Sequence, residues 1–97
     1  MKKYRVDARV DSNQPEIVKQ LRQIPGVTVE LSHDDFLVGF KGKTYWFELK
    51  NPDTVGKDGK IRESAIKKDQ KRIRASFTGH YEIVSSLDEI LKTLGIS

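Results

Sequence analysis

Two short runs of alternating apolar residues dominate the pattern along the chain. Phe36, Val38 and Phe40 form one, Tyr45, Phe47 and Leu49 the other, and Lys41-Gly42-Lys43 separates them. Period-two alternation on both sides of a glycine-bearing turn predicts a β-hairpin with one apolar face. Successive side chains of a strand point to opposite sides, so Asp35, Leu37, Gly39, Trp46, Glu48 and Lys50 share the other face. With Phe40 and Tyr45 as neighbours around the turn, Lys50 falls opposite Asp35, and Glu48 lies diagonal to it at about 7–8 Å.

The flanking segments read as a scaffold for this hairpin. Asn13 is a good N-cap and Pro15 suits a first turn, so a helix is expected to begin there, with Ile17, Val18, Leu21 and Ile24 as its inward stripe and Pro25-Gly26 as its stop. Val27-Thr28-Val29-Glu30-Leu31 predicts a strand leading into the hairpin. Asn51 to Lys60 is rich in turn formers and charge and predicts a flexible loop. From about Arg62 to Phe77 the period becomes helical, with Ile66, Gln70, Ile73 and Phe77 in one narrow stripe. Tyr81 to Val84 predicts a last strand. Ser86 and Glu89 then open a closing helix with a capping box, Leu87, Ile90, Leu91 and Leu94 form its stripe, and Gly95 caps it. The expected order is α-β-β-β-α-β-α: an α/β domain with a small mixed sheet flanked by helices. Residues 1–11 alternate Tyr4, Val6, Ala8 and Val10 with charged residues. They read as a tail reaching along a partner, as an edge strand pairing with a second subunit, or as a partly ordered terminus.

Ninety-seven residues make one domain, small enough that an oligomer hiding more apolar area is expected. There is no cysteine, hence no disulfide framework or thiolate metal site. The basic N-terminus lacks an apolar run, which argues against a signal peptide or a membrane span and for a cytoplasmic protein. No nucleotide-binding glycine motif is present, so no nucleotide cofactor is expected. A net charge of +4 favours a polyanionic partner. Lys57, Lys60, Arg62, Lys67, Lys68, Lys71, Arg72 and Arg74 outnumber three acids over the same stretch, a surplus of five that exceeds the charge of the whole chain. Such a run is usually a solvated helix face; its asymmetry here favours a phosphate-contacting surface formed by Lys57, Lys60, Lys67, Lys68, Lys71, Arg72 and Arg74.

The charged face of the hairpin carries the candidate chemistry. Two carboxylates, Asp35 and Glu48, suit a hard divalent cation such as Mg²⁺, and Lys50 adds a positive charge beside a phosphate. Trp46, on the same face, either packs under the first helix or abuts DNA. Glu16, three residues after Asn13, can close a capping box. Gln70 is an amide in an apolar stripe and needs hydrogen-bond partners. His33 either touches the site or is merely solvated, and Asp34 should point away from it.

Asp34-Asp35, a spacer and Glu48-Leu49-Lys50 resemble the PD-(D/E)XK nuclease motif, with Asp34 where the family has Pro. From about Ser12 to Ile96 the chain resembles the VRR-NUC branch in its short, stand-alone phage or prophage form. Asn13-Gln14-Pro15-Glu16-Ile17-Val18 is similar to that branch's first helix, Asp35-Phe36-Leu37-Val38-Gly39 to its PD strand, Glu48-Leu49-Lys50 to its ExK strand, and Asp69-Gln70 to its Gln-bearing helix. The resemblance implies a restriction-endonuclease-like fold. It also implies Mg²⁺ (with Mn²⁺ as a substitute) held by Asp35, Glu48, the backbone carbonyl of Leu49 and Glu16, while Lys50 and Gln70 position the nucleophile. The implied activity is that of an endodeoxyribonuclease in the cytoplasm of a bacterial host, most specifically a homodimeric resolvase of Holliday (four-way) junctions. A flap- or nick-selective nuclease and a non-catalytic DNA-binding module are the alternatives.

Overall fold

The computed structural model describes residues 13–32 and 35–96. Residues 1–11, His33 and Asp34, for which the sequence raises roles, lie outside the described residues. The elements are α1 (Gln14–Arg22), β1 (Val27–Ser32), β2 (Asp35–Phe40), β3 (Lys43–Leu49), α2 (Lys68–Ser76), β4 (His80–Val84) and α3 (Leu87–Leu94), with short 3₁₀ turns at Pro52–Thr54 and Glu63–Ala65. The α-β-β-β-α-β-α order expected from the sequence is observed. The strands form one mixed sheet in the order β1-β2-β3-β4. The first two pairings are antiparallel and β3 pairs with β4 in parallel.

The apolar alternation builds the core as expected. Val27 and Val29 of β1, Phe36 and Val38 of β2, Phe47 and Leu49 of β3 and Val84 of β4 bury one face of the sheet. Ile17, Val18 and Leu21 of α1 and Ile90 and Leu94 of α3 cover that face. Ser86 accepts the Glu89 N–H, the Glu89 carboxylate accepts the Ser85 N–H at 2.7 Å, and Gly95 ends α3 in the left-handed region at φ 83°. The expected capping box is therefore present in a form shifted by one residue on its return side.

Four expectations are corrected. The hairpin turn is Lys41-Gly42, with Lys43 already in β3; both turn residues have positive φ, 53° and 76°, the backbone of the I′ turn that matches strand twist. Phe40 therefore pairs with Lys43 and Val38 with Tyr45, and the register places Glu48, not Lys50, opposite Asp35. Next, α2 begins at Lys68 instead of near Arg62, because Ile66 and Lys67 are extended and the Gln70 side chain caps the helix from inside by accepting the Lys67 N–H at 3.0 Å. The 51–60 segment, expected as a flexible loop, is organised. Val55 bridges Ile61, the Gly56 N–H donates to the Lys60 carbonyl, and Arg62 donates to the carbonyls of Asp53 and Val55. Finally, Asn13 makes no side-chain cap bond and the capping box expected with Glu16 does not form, because Asn13 already has helical φ and ψ (−93°, −9°). Among the described residues no helix is long and apolar enough to cross a membrane.

Candidate active site

The second face of the sheet collects the polar residues that alternate with the core. Asp35 and Glu48 are direct cross-strand partners on this face, a relation that sets Cβ atoms about 4.5–5.5 Å apart. The corrected register thus brings the two carboxylates closer than the diagonal placement anticipated. Glu48 is buried, at 5% exposure. A carboxylate at that depth is costly without a charge partner, and the Lys50 ammonium lies 3.8 Å from its Oε2. Lys50 is anchored in turn by its backbone, whose N–H donates to the Val84 carbonyl at 2.7 Å. The Leu49 side chain points into the core, so only its backbone is available to the charged face.

Asp35 is held by an aromatic side chain, Trp46, for which alternation predicts the same face and either packing under α1 or contact with DNA. Its Oδ2 accepts a 2.6 Å hydrogen bond from Trp46 Nε1. Trp46 does not pack under α1, which covers the opposite face; its indole meets Phe77 and Tyr81 edge to face, at centroid distances of 5.2 and 4.9 Å. Phe77 follows the last turn of α2, and Tyr81 is in register with Trp46 across the parallel pair. Burial pushes the Tyr81 phenol up to about 12, helped by the negative field of Glu48, Asp35 and Asp69 and opposed by Arg74. That field sums charges from β2, β3 and α2.

The remaining expected residues divide. Gln70 is buried, and its carbonyl oxygen is engaged by the Lys67 N–H, which leaves its amide nitrogen as the end able to donate to a water or phosphate. Glu16 is exposed on α1 and accepts a hydrogen bond from Gln20 at 2.9 Å. Among the described residues no group of three or more His, Asp or Glu side chains could hold a metal ion, so Glu16 is not gathered with Asp35 and Glu48. Two carboxylates on one face still fit Mg²⁺, which binds through one or two carboxylates, water and substrate phosphate.

Lys57, Lys60, Lys67, Lys68, Lys71, Arg72 and Arg74 are all exposed. Arg74 donates twice to the Glu63 carboxylate, at 3.1 and 3.3 Å, and the Lys71 ammonium lies 4.0 Å from it. The Arg74 hydrogen bonds hold the Glu63 carboxyl below its usual range. Part of the basic surface is therefore neutralised within the protein by an acid from the preceding turn, a pairing that the sequence spacing did not signal. The Trp46 contact had a signal: alternation places Trp46 on the Asp35 face, and a two-residue reading of Lys41-Gly42 makes them diagonal neighbours. Tyr81 had none, because its register depends on a parallel strand reached through a long connection. Compared with known proteins, the chain matches no family model, no curated protein and no solved structure.

Proposed function

We propose that the protein is a divalent-metal-dependent nuclease that hydrolyses phosphodiester bonds in branched DNA, with a dimeric four-way junction resolvase as its most specific form. The observation that carries this reading is the direct pairing of Asp35 with Glu48 on one face, with Lys50 beside Glu48. The likeness of these residues to the PD-(D/E)XK motif supports it. Asp35, Glu48 and the Leu49 carbonyl would hold Mg²⁺ or Mn²⁺. When bound there, the cation supplies a lowered pKa for an attacking water and neutralises charge on the phosphate, together worth several kcal/mol by general magnitudes. Lys50 balances the buried Glu48 and presents positive charge to the non-bridging oxygens. Gln70, through its amide nitrogen, orients a water or phosphate oxygen, and the exposed cations of α2 hold flanking phosphates without reading sequence.

One observation favours a second reading, a non-catalytic DNA-binding module. Both carboxylates already have internal partners, Trp46 for Asp35 and Lys50 for Glu48, as a purely structural pair would. End-labelled four-way junction, flap and linear duplex incubated with Mg²⁺, Mn²⁺ or EDTA separate the two. The nuclease cuts branched substrates, and EDTA or Glu48→Gln abolishes the cutting. Metal-independent binding without any cleavage would end the enzymatic reading.

A further inference from the structure

An aromatic step rises from the carboxylate pair to the surface. Trp46 bonds Asp35 through its indole N–H, and Phe77 stands edge-on to Trp46 at 5.2 Å and 90°. A benzyl side chain that is 46% exposed, at the C-terminal end of the most basic helix, exposes a large apolar face where solvation disfavours it. Leu37, directly across from Trp46 in the register, is 40% exposed and extends the same strip. Gly79 makes room for this arrangement: a Cβ there would come within 2.7 Å of the Phe77 ring. The strip is thus apolar, and Phe77 follows directly on α2, whose Lys68, Lys71, Arg72 and Arg74 side chains are exposed.

We propose that Phe77, backed by Trp46, is a stacking site for one unpaired nucleobase, so that the DNA taken by the adjacent carboxylate pair carries an unpaired nucleotide next to the phosphate to be cut. The inference rests on the nucleic-acid reading above and narrows its substrate. Every base has a π-face that stacks on an aromatic side chain, whereas a paired base is covered by its neighbours in the duplex, so an exposed ring at the end of a basic helix selects single-stranded character without selecting sequence.

The chain has a single tryptophan, Trp46, which serves as the probe. The full-length protein is titrated in EDTA with oligothymidylate and with a duplex of equal length, and the Trp46 emission is followed. The expected result is quenching by oligothymidylate with an affinity that falls roughly tenfold in Phe77→Leu, which keeps the packing on Trp46 but removes the ring. Gly79→Ala, which displaces the ring, should act in the same direction, Phe77→Tyr should bind like the parent, and duplex affinity should change less than twofold throughout. Equal losses for both DNAs in Phe77→Leu, or no loss for either, would overturn the stacking site. So would a shift from dimer to monomer in Phe77→Leu on sedimentation with DNA binding unchanged. Single-strand binding that depends on Phe77 but brings no cleavage in Mg²⁺ upholds this site and removes only the nuclease. Cleavage of plain duplex as fast as of flap, with Phe77→Leu fully active, removes this site and upholds the nuclease.

Discussion

Trp46 ties the acidic pair to the aromatic step through one hydrogen bond, and its removal is the most informative single change. Trp46→Phe keeps the ring's bulk and deletes the donor, so Asp35 loses the partner that fixes its carboxylate opposite Glu48. Outer partners of metal-binding carboxylates typically govern affinity by roughly 10- to 100-fold. Mn²⁺ affinity measured by calorimetry should fall within that range, while an unchanged affinity would show that Asp35 needs no such support. Tyr81 makes a prediction of the opposite kind, about proton release. Its folded-state pKa is raised from 10.0 to about 12, so the folded protein favours the neutral phenol. The unfolded chain ionises first, and the stabilisation is complete below pH 10 and declines as pH climbs towards 12. Urea unfolding of the parent should weaken across that window more than that of Tyr81→Phe.

The hairpin turn shows at the scale of an element how much was legible beforehand. Alternation alone identified both strands, their shared faces and the membership of Asp35, Glu48 and Lys50 in one of them, because a period of two is insensitive to where the turn begins. The register is not insensitive. It was decided by backbone conformation at Lys41 and Gly42, and nothing in Lys41 as a residue type announces a positive φ. The start of α2 failed for a related reason. A helical stripe running back to Ile66 continues geometrically into the preceding turn, and only the Gln70 cap on Lys67 sets the boundary. Gly42→Ala tests the turn directly. No atom lies within 4 Å of the added methyl, so the cost is conformational, about 1 kcal/mol, readable as a lower urea midpoint with an unchanged slope. Ser86→Ala, which removes the α3 cap, should cost a similar amount, ~1 kcal/mol.

For the molecule as a whole, charge is the property with the longest reach. Glu63 lies among the exposed cations and draws Arg74 and Lys71 to itself. Glu63→Gln releases both towards solvent, so duplex binding should tighten and its dependence on salt should steepen by about one further ion released. A looser complex with a flatter salt slope would mean that Glu63 orients Arg74 for contact instead of occupying it.

The parallel pairing of β3 with β4 also sets the order in which the face can come together. Asp35 and Glu48 meet across a two-residue turn, the kind of local contact that closes in microseconds, whereas Tyr81, Phe77 and the cations of α2 arrive only when the long crossover joins Glu48 to Ile83. A refolding chain would therefore bring Asp35 and Glu48 together first and add the cations of α2 afterwards. Affinity for DNA should lag behind the earliest β-structure in a stopped-flow experiment. DNA spanning both halves would fasten the crossover in place, slowing exchange of the β4 amides far more than those of β2.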